Sequence, residues 1–156
     1  MFLKVDGVEG ESKDAKHKGE IDVESFSFGA SNEGSTGGGG GGGAGKVSMH
    51  DFSFTTRASK ASPKLFLACA SGQHIKTALL TVRKPGGQQQ NFLKITLNDV
   101  LVSGYAEAGA EATDVPTDQV TMNFSKIQFS YTGQRPDGSP DAPVTVGWDL
   151  KTNTKF

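Results

Sequence analysis

The chain has 156 residues, 35% of them hydrophobic, which suits one domain over 1–156 whose folding hides roughly 68% of the unfolded chain's surface. Lysines and arginines (16) and aspartates and glutamates (17) leave a formal charge of −1, without the basic excess that drives binding to a phosphate backbone, so nucleic acid is not an expected partner. One cysteine cannot form an internal disulfide, no His/Cys or His/Glu cluster has the spacing of a zinc or haem motif, and neither metal nor cofactor is expected.

Charge enters at Lys4 and Asp6, so the opening MFLKVDGVEGESKD has no apolar stretch of the kind a secretory leader needs. No segment approaches the ~20 apolar residues of a membrane-crossing helix. The expectation is a chain made in the cytoplasm, with no membrane insertion. Glycine is abundant (21 of 156), yet nine of these glycines fall between Gly34 and Gly45, so the excess belongs to one loop.

Most of the apolar pattern has period two, which places alternate side chains on one face of a strand. Strands are predicted over 2–5, 21–29, 46–57, 75–84, 91–105, 119–131 and 143–150, divided by Gly, Pro, Asn and Asp. The fold class is mainly β: a closed or nearly closed barrel of about eight strands, with one short α-helix and a long Gly-rich loop.

In 21–29 the apolar set moves from Ile21 and Val23 to Phe26 and Phe28; in 46–57 it moves from Val47 and Met49 to Phe52 and Phe54. Paired as a hairpin, these strands would set Phe28 near Val47, Phe26 near Met49, Val23 near Phe52 and Ile21 near Phe54, so that the two changes of face coincide at a bulge or bend. A similar change separates Val120, Met122 and Phe124 from Ile127, Phe129 and Tyr131. Repeated bends curl a sheet towards closure; protein covering both faces gives the same pattern.

The helix is marked by Ser62 as cap, Pro63 at the first position and Gly72 beyond the end, around KLFLACAS. Leu65, Phe66 and Cys69 are expected on its apolar face, as a lid or plug of the core.

Residues 40–47, GGGGAGKV, nearly fit the phosphate-cradling G-x-x-x-x-G-K-[ST] loop. Val47 stands where a magnesium-binding hydroxyl belongs, and the following VSMHDFSF alternates as a strand, whereas a phosphate loop opens a helix. Cys69 reads as a small hydrophobe, and His17, His50 and His74 have no spacing that implies a base or ligand. Glu20, Asp22 and Glu24 alternate along one strand face and read as solvated, with a hydrolase centred on Asp22 as the enzymatic alternative. Residues 9–20, EGESKDAKHKGE, read as an exposed loop with weak surface pairs. No catalytic residue is expected. The loop 31–45 is about as long as a structureless connection gets inside a compact domain; it is either an element that orders on a neighbouring subunit or a tolerated insertion.

Several segments together resemble one family, the Hcp tube proteins of type VI secretion systems. They are VEGESKDAKHKGEIDVESFSFG (8–29), GGGGAGKVSMHDFSFT (40–55), KASPKLFLACASGQHIKTALLTVRK (60–84), FLKITLNDVLVSGY (92–105), VTMNFSKIQFSYTGQRPDGS (120–139) and PVTVGWDLKTN (143–153), in family order over nearly the whole chain. The resemblance implies a non-enzymatic β-barrel subunit in a homo-hexameric ring. Such rings stack head-to-tail into an inner tube that a contractile sheath expels with a spike, and some members hold small effector proteins in the lumen. It implies a chain that is cytoplasmic before firing and secreted afterwards without a signal peptide. The chain ends at Phe156, just after the last strand, so no fused toxin is expected, and its N terminus starts at the first strand without a short extension. The loop 31–45 occupies the place of the family's extended loop, an arm reaching towards an adjacent subunit or ring. Its subunit-contact candidates are Ser31, Asn32, Glu33, Ser35, Thr36, Gly40, Gly43 and Lys46. A freely secreted, adhesin-type binding module is the alternative reading of the same barrel.

Overall fold

The computed structural model describes residues 1–32, 46–84, 89–112 and 114–156. Its strands in chain order are β1 (Phe2–Val5), β2 (Ile21–Ser27), β3 (Ala30–Asn32), β4 (Val47–Met49) and β5 (Phe52–Arg57), then, after helix α1 (Ser62–Ser71), β6 (His74–Arg83), β7 (Asn91–Ala108), β8 (Thr117–Asn123), β9 (Lys126–Gln134), β10 (Pro140–Asp149) and β11 (Thr154–Lys155). The fold is mainly β, with α1 as the one helix among the described residues. Antiparallel pairing runs β7-β6-β1-β2-β5-β8, and β8 returns to β7, closing a six-stranded barrel. The remaining strands extend it: β9, β10 and β11 form an arm on the free edge of β7, and β3 with β4 makes a separate ribbon.

Closure depends on the 18-residue β7, which pairs with β9 through Leu93 to Asn98 and with β8 through Leu101 to Ala108. The expected strand 119–131 is therefore two strands, but both keep one register on β7, since Leu101 faces Asn123 and Asn98 faces Lys126. Between them the Ser125 amide donates to the Asn98 carbonyl at 3.0 Å. Asp99 opposite takes φ of 52°, a left-handed conformation that asparagine and aspartate tolerate better than most residues. Further along, β7 bulges between Val102 and Gly104. A Cβ on Gly104 would run into the Thr121 hydroxyl, so any larger residue there must displace that side chain.

The face change after Val23 is a bulge, because the register of β2 on β5 shifts between Val23 and Ser25. The expected hairpin register is corrected. Asn32 faces Val47, Ala30 faces Met49, Phe26 faces Phe54 and Val23 faces Thr56. The two changes of face do not coincide: the bulge lies opposite Thr55 and Thr56, whereas the other falls at the break between β4 and β5, where the His50 amide donates to the Gly29 carbonyl. The reason is that Ala30, Ser31 and Asn32 satisfy their backbone groups as an exposed ribbon that buries nothing, so hydrophobic periodicity cannot register it.

Helix α1 ends as expected, with Gly72 at φ 65° and the Gln73 amide donating to the Ala68 carbonyl at 3.0 Å. Its start and face differ from expectation. Ala61 occupies the cap position without a side-chain bond, while Ser62 is buried; its hydroxyl accepts from the Ser59 amide and donates to Asp118. Leu65 and Ala68 enter the core, Cys69 packs partly buried beside it, and Phe66 points outwards against the edge of Tyr105. The helix packs on β7.

Residues 6–20 also differ from a plain exposed loop. The Gly10, Ser12 and Gly19 amides bond across it, Gly10 has no room for a Cβ against the Glu20 carbonyl, and Arg83 from β6 reaches Asp14 at 2.7 Å. His17 is buried flat against Phe2, with ring centroids 4.4 Å apart and Nδ1 2.8 Å from Glu20. The charges in this segment look weak locally because one of their main partners lies on β6.

Candidate subunit-contact surfaces

Two transects across the sheet show which way its apolar face continues. Paired residues run Ile21, Leu3, Leu80, Ile95, Phe129, Val146 in one row and Val5, Ala78, Leu97, Ile127, Trp148 in the next. Cross-strand partners share a face, so these rows trace the inner wall of the barrel and then pass, without a break, onto the arm. Ile21, Leu3, Leu80 and Ile95 are at most 1% exposed, whereas Val146 is 61% exposed. Val144, two residues along β10 and opposite Tyr131, is 68% exposed on the same face. An inward pattern thus continues beyond the point where β8 closes the barrel. Phe28, just past β2, covers part of it by packing on Phe129 at 6.0 Å. The rest is an open apolar groove of about 420 Å³, bounded by Phe28, Ile127, Phe129, Val146, Trp148 and Lys155.

The end of the arm is fixed by charge. Asp99 bonds Lys151 at 2.8 Å and the Ser125 hydroxyl at 2.7 Å, with His74 at 3.6 Å; the lysine and serine hold the carboxyl down at about 2. Asp149 pairs with Lys126 at 3.0 Å and accepts the Lys151 amide, and the lysine lowers its carboxyl as well. The chain then turns through Asn153, at φ 55°, and β11 returns along Trp148 and Asp149. Phe156 comes to lie on Gly147, where a Cβ would approach its ring to 2.8 Å.

A second apolar exposure lies on α1, where Phe66 and Leu67 are 57% and 59% exposed. The helix is clasped to the barrel beneath them. Asp118, fully buried on β8, accepts from the Ser62 hydroxyl, and the single phenolic proton of Tyr105 lies within reach of both Asp118, at 3.1 Å, and Glu107, at 2.9 Å. Burial, then the Glu107 and Asp118 carboxylates, push the Tyr105 phenol well above its usual range.

Of the loop candidates, Ser31 and Asn32 lie on β3, exposed, and Lys46 is exposed just before β4. Glu33, Ser35, Thr36, Gly40 and Gly43 lie outside the described residues. The chain after Lys46 enters a strand, as the departure from a phosphate loop requires. Asp22 and Glu24 face water along an open cleft of about 330 Å³ with Glu11, Thr56, Arg57 and Ser59, where Arg57 pairs with Glu24 at 3.0 Å. No histidine is among the cleft's lining residues. His50 and His74 are exposed on separate segments, and Cys69 is a free thiol on the helix. Among the described residues, the cleft groups the Asp22 and Glu24 carboxylates with Arg57 and brings neither a histidine nor the cysteine to them. Sequence reasoning missed the surface of β9 and β10; its signal was the alternation of Val144, Val146 and Trp148, which matches Ile127, Phe129 and Tyr131.

The family model for the type VI secretion system effector Hcp matches residues 2–131. The chain is 47% identical to protein hcp1 of Pseudomonas aeruginosa over 157 residues, covering 99% of this chain and 97% of that protein. Among solved structures, that of a type six secretion system protein superposes with a TM-score of 0.93 at 32% identity, covering 99% of this chain and 98% of the other. Hcp1 from Salmonella typhimurium gives 0.83 at 35% identity, covering 99% and 97%. A barrel whose inner face runs on into an uncovered arm, matched in sequence and in fold along almost its full length, belongs to the Hcp family of type VI secretion system effectors.

Proposed function

We propose that the chain is a structural subunit of the type VI secretion inner tube. Six copies close a ring, rings stack head-to-tail, and sheath contraction expels the column with its spike. Small effector proteins travel in the lumen, and the protein is cytoplasmic until firing delivers it outside the cell. The observation that carries this reading is the apolar face of β9 and β10, which continues the barrel's inner wall yet leaves Val144 and Val146 exposed, with no layer over them among the described residues. Apolar patches of this kind mark interaction sites in soluble proteins. A closed ring of identical subunits needs a heterologous contact, with one surface meeting a different surface of the next copy. Family membership supports the same assembly.

The reading assigns no turnover to the chain. The loop 31–45, between the exposed strand β3 and the half-buried β4, is the element that reaches an adjacent subunit or ring. Deleting residues 37–43 leaves the melting transition unchanged and shortens the stacks; unaltered stack length would show that the element is dispensable. Negative-stain electron microscopy of the purified chain tests the whole proposal. Rings with a central hole are expected, and a field of single barrels at every concentration contradicts it. A freely secreted binding module predicts instead that export persists when the sheath cannot contract.

A further inference from the structure

Ring closure leaves open which surface of the neighbour enters the groove on the arm. The chain carries a second apolar exposure elsewhere, the Phe66 and Leu67 pair on α1, which sits against the other half of β7, near Tyr105 and Asp118. A heterologous contact requires two unlike surfaces, one for each side of the repeat. The groove and the helix pair answer that description in shape, since one is recessed and the other formed by two large side chains standing off a helix that the Ser62 to Asp118 clasp holds in place. They also match in size. An apolar cavity of about 150 Å³ takes one benzene ring, so an open groove of about 420 Å³ accepts a phenyl and an isobutyl group together. Their charges are complementary. Lys155 stands at the groove and has no ion pair among those formed by the described residues, whereas Glu107 lies beside the helix pair, joined to it through Tyr105, whose ring meets Phe66 at 5.9 Å.

We infer that Phe66 and Leu67 of one subunit insert into the groove of the next, with Glu107 placed opposite the neighbour's Lys155. This rests on the ring reading and specifies its contact. Aromatic and aliphatic anchors seated in a desolvated pocket dominate interface energetics, while charges at the rim set register more than affinity. The two parts of the contact therefore have different signatures: loss of the anchor abolishes assembly, and reversal of the rim charge weakens it in a salt-dependent way.

Trp148 is the chain's one tryptophan and lines the groove, so its emission reports occupancy directly. Wild-type emission shifts to the blue as protein concentration drives assembly, and the shift is absent in Phe66→Asp although its circular dichroism melt is unchanged. Contact itself is tested in a Cys69→Ala background carrying Ala70→Cys, exposed one turn along the helix from Phe66, and Val144→Cys, exposed beside the groove and outside its lining. A short bis-maleimide yields a covalent ladder of up to six chains, and each single cysteine variant yields none. Glu107→Lys weakens the ring and Lys155→Glu in the same chain restores it. Intact rings without a ladder overturn this contact while leaving the tube proposal standing; a wild-type chain that stays monomeric overturns both.

Discussion

The barrel and the arm carry the same alternation of apolar residues and meet opposite fates. On β5, Phe52 and Phe54 face inwards and are sealed by strands from around the closed wall, at 0% and 1% exposure. On β10, Val144 and Val146 lie on the continuation of that same inner face, and nothing among the described residues covers them. Pattern alone decides which side of a strand is apolar; topology decides whether the covering layer belongs to the same molecule. Closure occurs where β8 joins β7 beyond Val100, so everything attached to the earlier half of β7, on the β9 side, is left outside the barrel with an inward-type surface. Under the proposed ring, that remainder is the surface offered to the next copy.

The comparison breaks most visibly at the barrel. Phe52→Ala removes a ring packed among Phe26, Phe54 and the inner wall and is expected to cost about 3–5 kcal/mol in chemical denaturation. A loss below about 1 kcal/mol would mean that this wall is not a sealed core. Ser62→Ala comes next. It leaves the fully buried Asp118 with Tyr105 as its remaining side-chain donor, and a loss of about 1–3 kcal/mol is expected by the same measurement.

The third test is acid. Lys151 and Ser125 lower the folded-state pKa of Asp99 to about 2 from its ordinary 3.8, so its contribution is present above about pH 4 and is lost as pH falls towards 2. Asp149, lowered by Lys126, moves in the same direction. Protection of the Ser125 and Lys151 amides relative to their intrinsic exchange, which marks the junction of arm and barrel, should therefore fall between pH 4 and pH 2 ahead of that of amides on β6. Asp99→Asn should remove that step, and an identical profile in the variant would dissociate the carboxylate from the junction.

The smallest effect on stability is expected in the arm. Val146→Asp adds charge to a side chain already in water and should change unfolding free energy by no more than about 0.5 kcal/mol, while preventing assembly altogether. A destabilisation comparable with that of Phe52→Ala would erase the distinction between the two regions.

Much of this fold is written in local chemistry. Pro63 and Gly72 bound the helix because their backbone preferences act within a few residues, and the shift from Val23 to Phe26 marks an irregularity because a regular strand keeps its apolar residues on one face. What stays hidden depends on distant partners or on none. Strand β3 buries nothing, so the register that pairs Asn32 with Val47 leaves no apolar trace on its side of the ribbon. Asp14 looks like a surface charge until the fold brings Arg83 to it across 69 residues. Phe66 looks like a core residue because helical spacing reports a face without reporting how wide a contact will cover it. The loop candidates were legible as an oddity of composition, whereas the arm's surface was not, since residues facing into a barrel and residues facing a neighbour alternate alike.

Native mass spectrometry of the purified full-length chain tests the central claim most directly. The account predicts a dominant species of six subunits in the wild type and single chains in Val146→Asp with an unchanged melt. A wild-type protein that flies as one subunit at every concentration, or a Val146→Asp variant that still assembles in sixes, would contradict it.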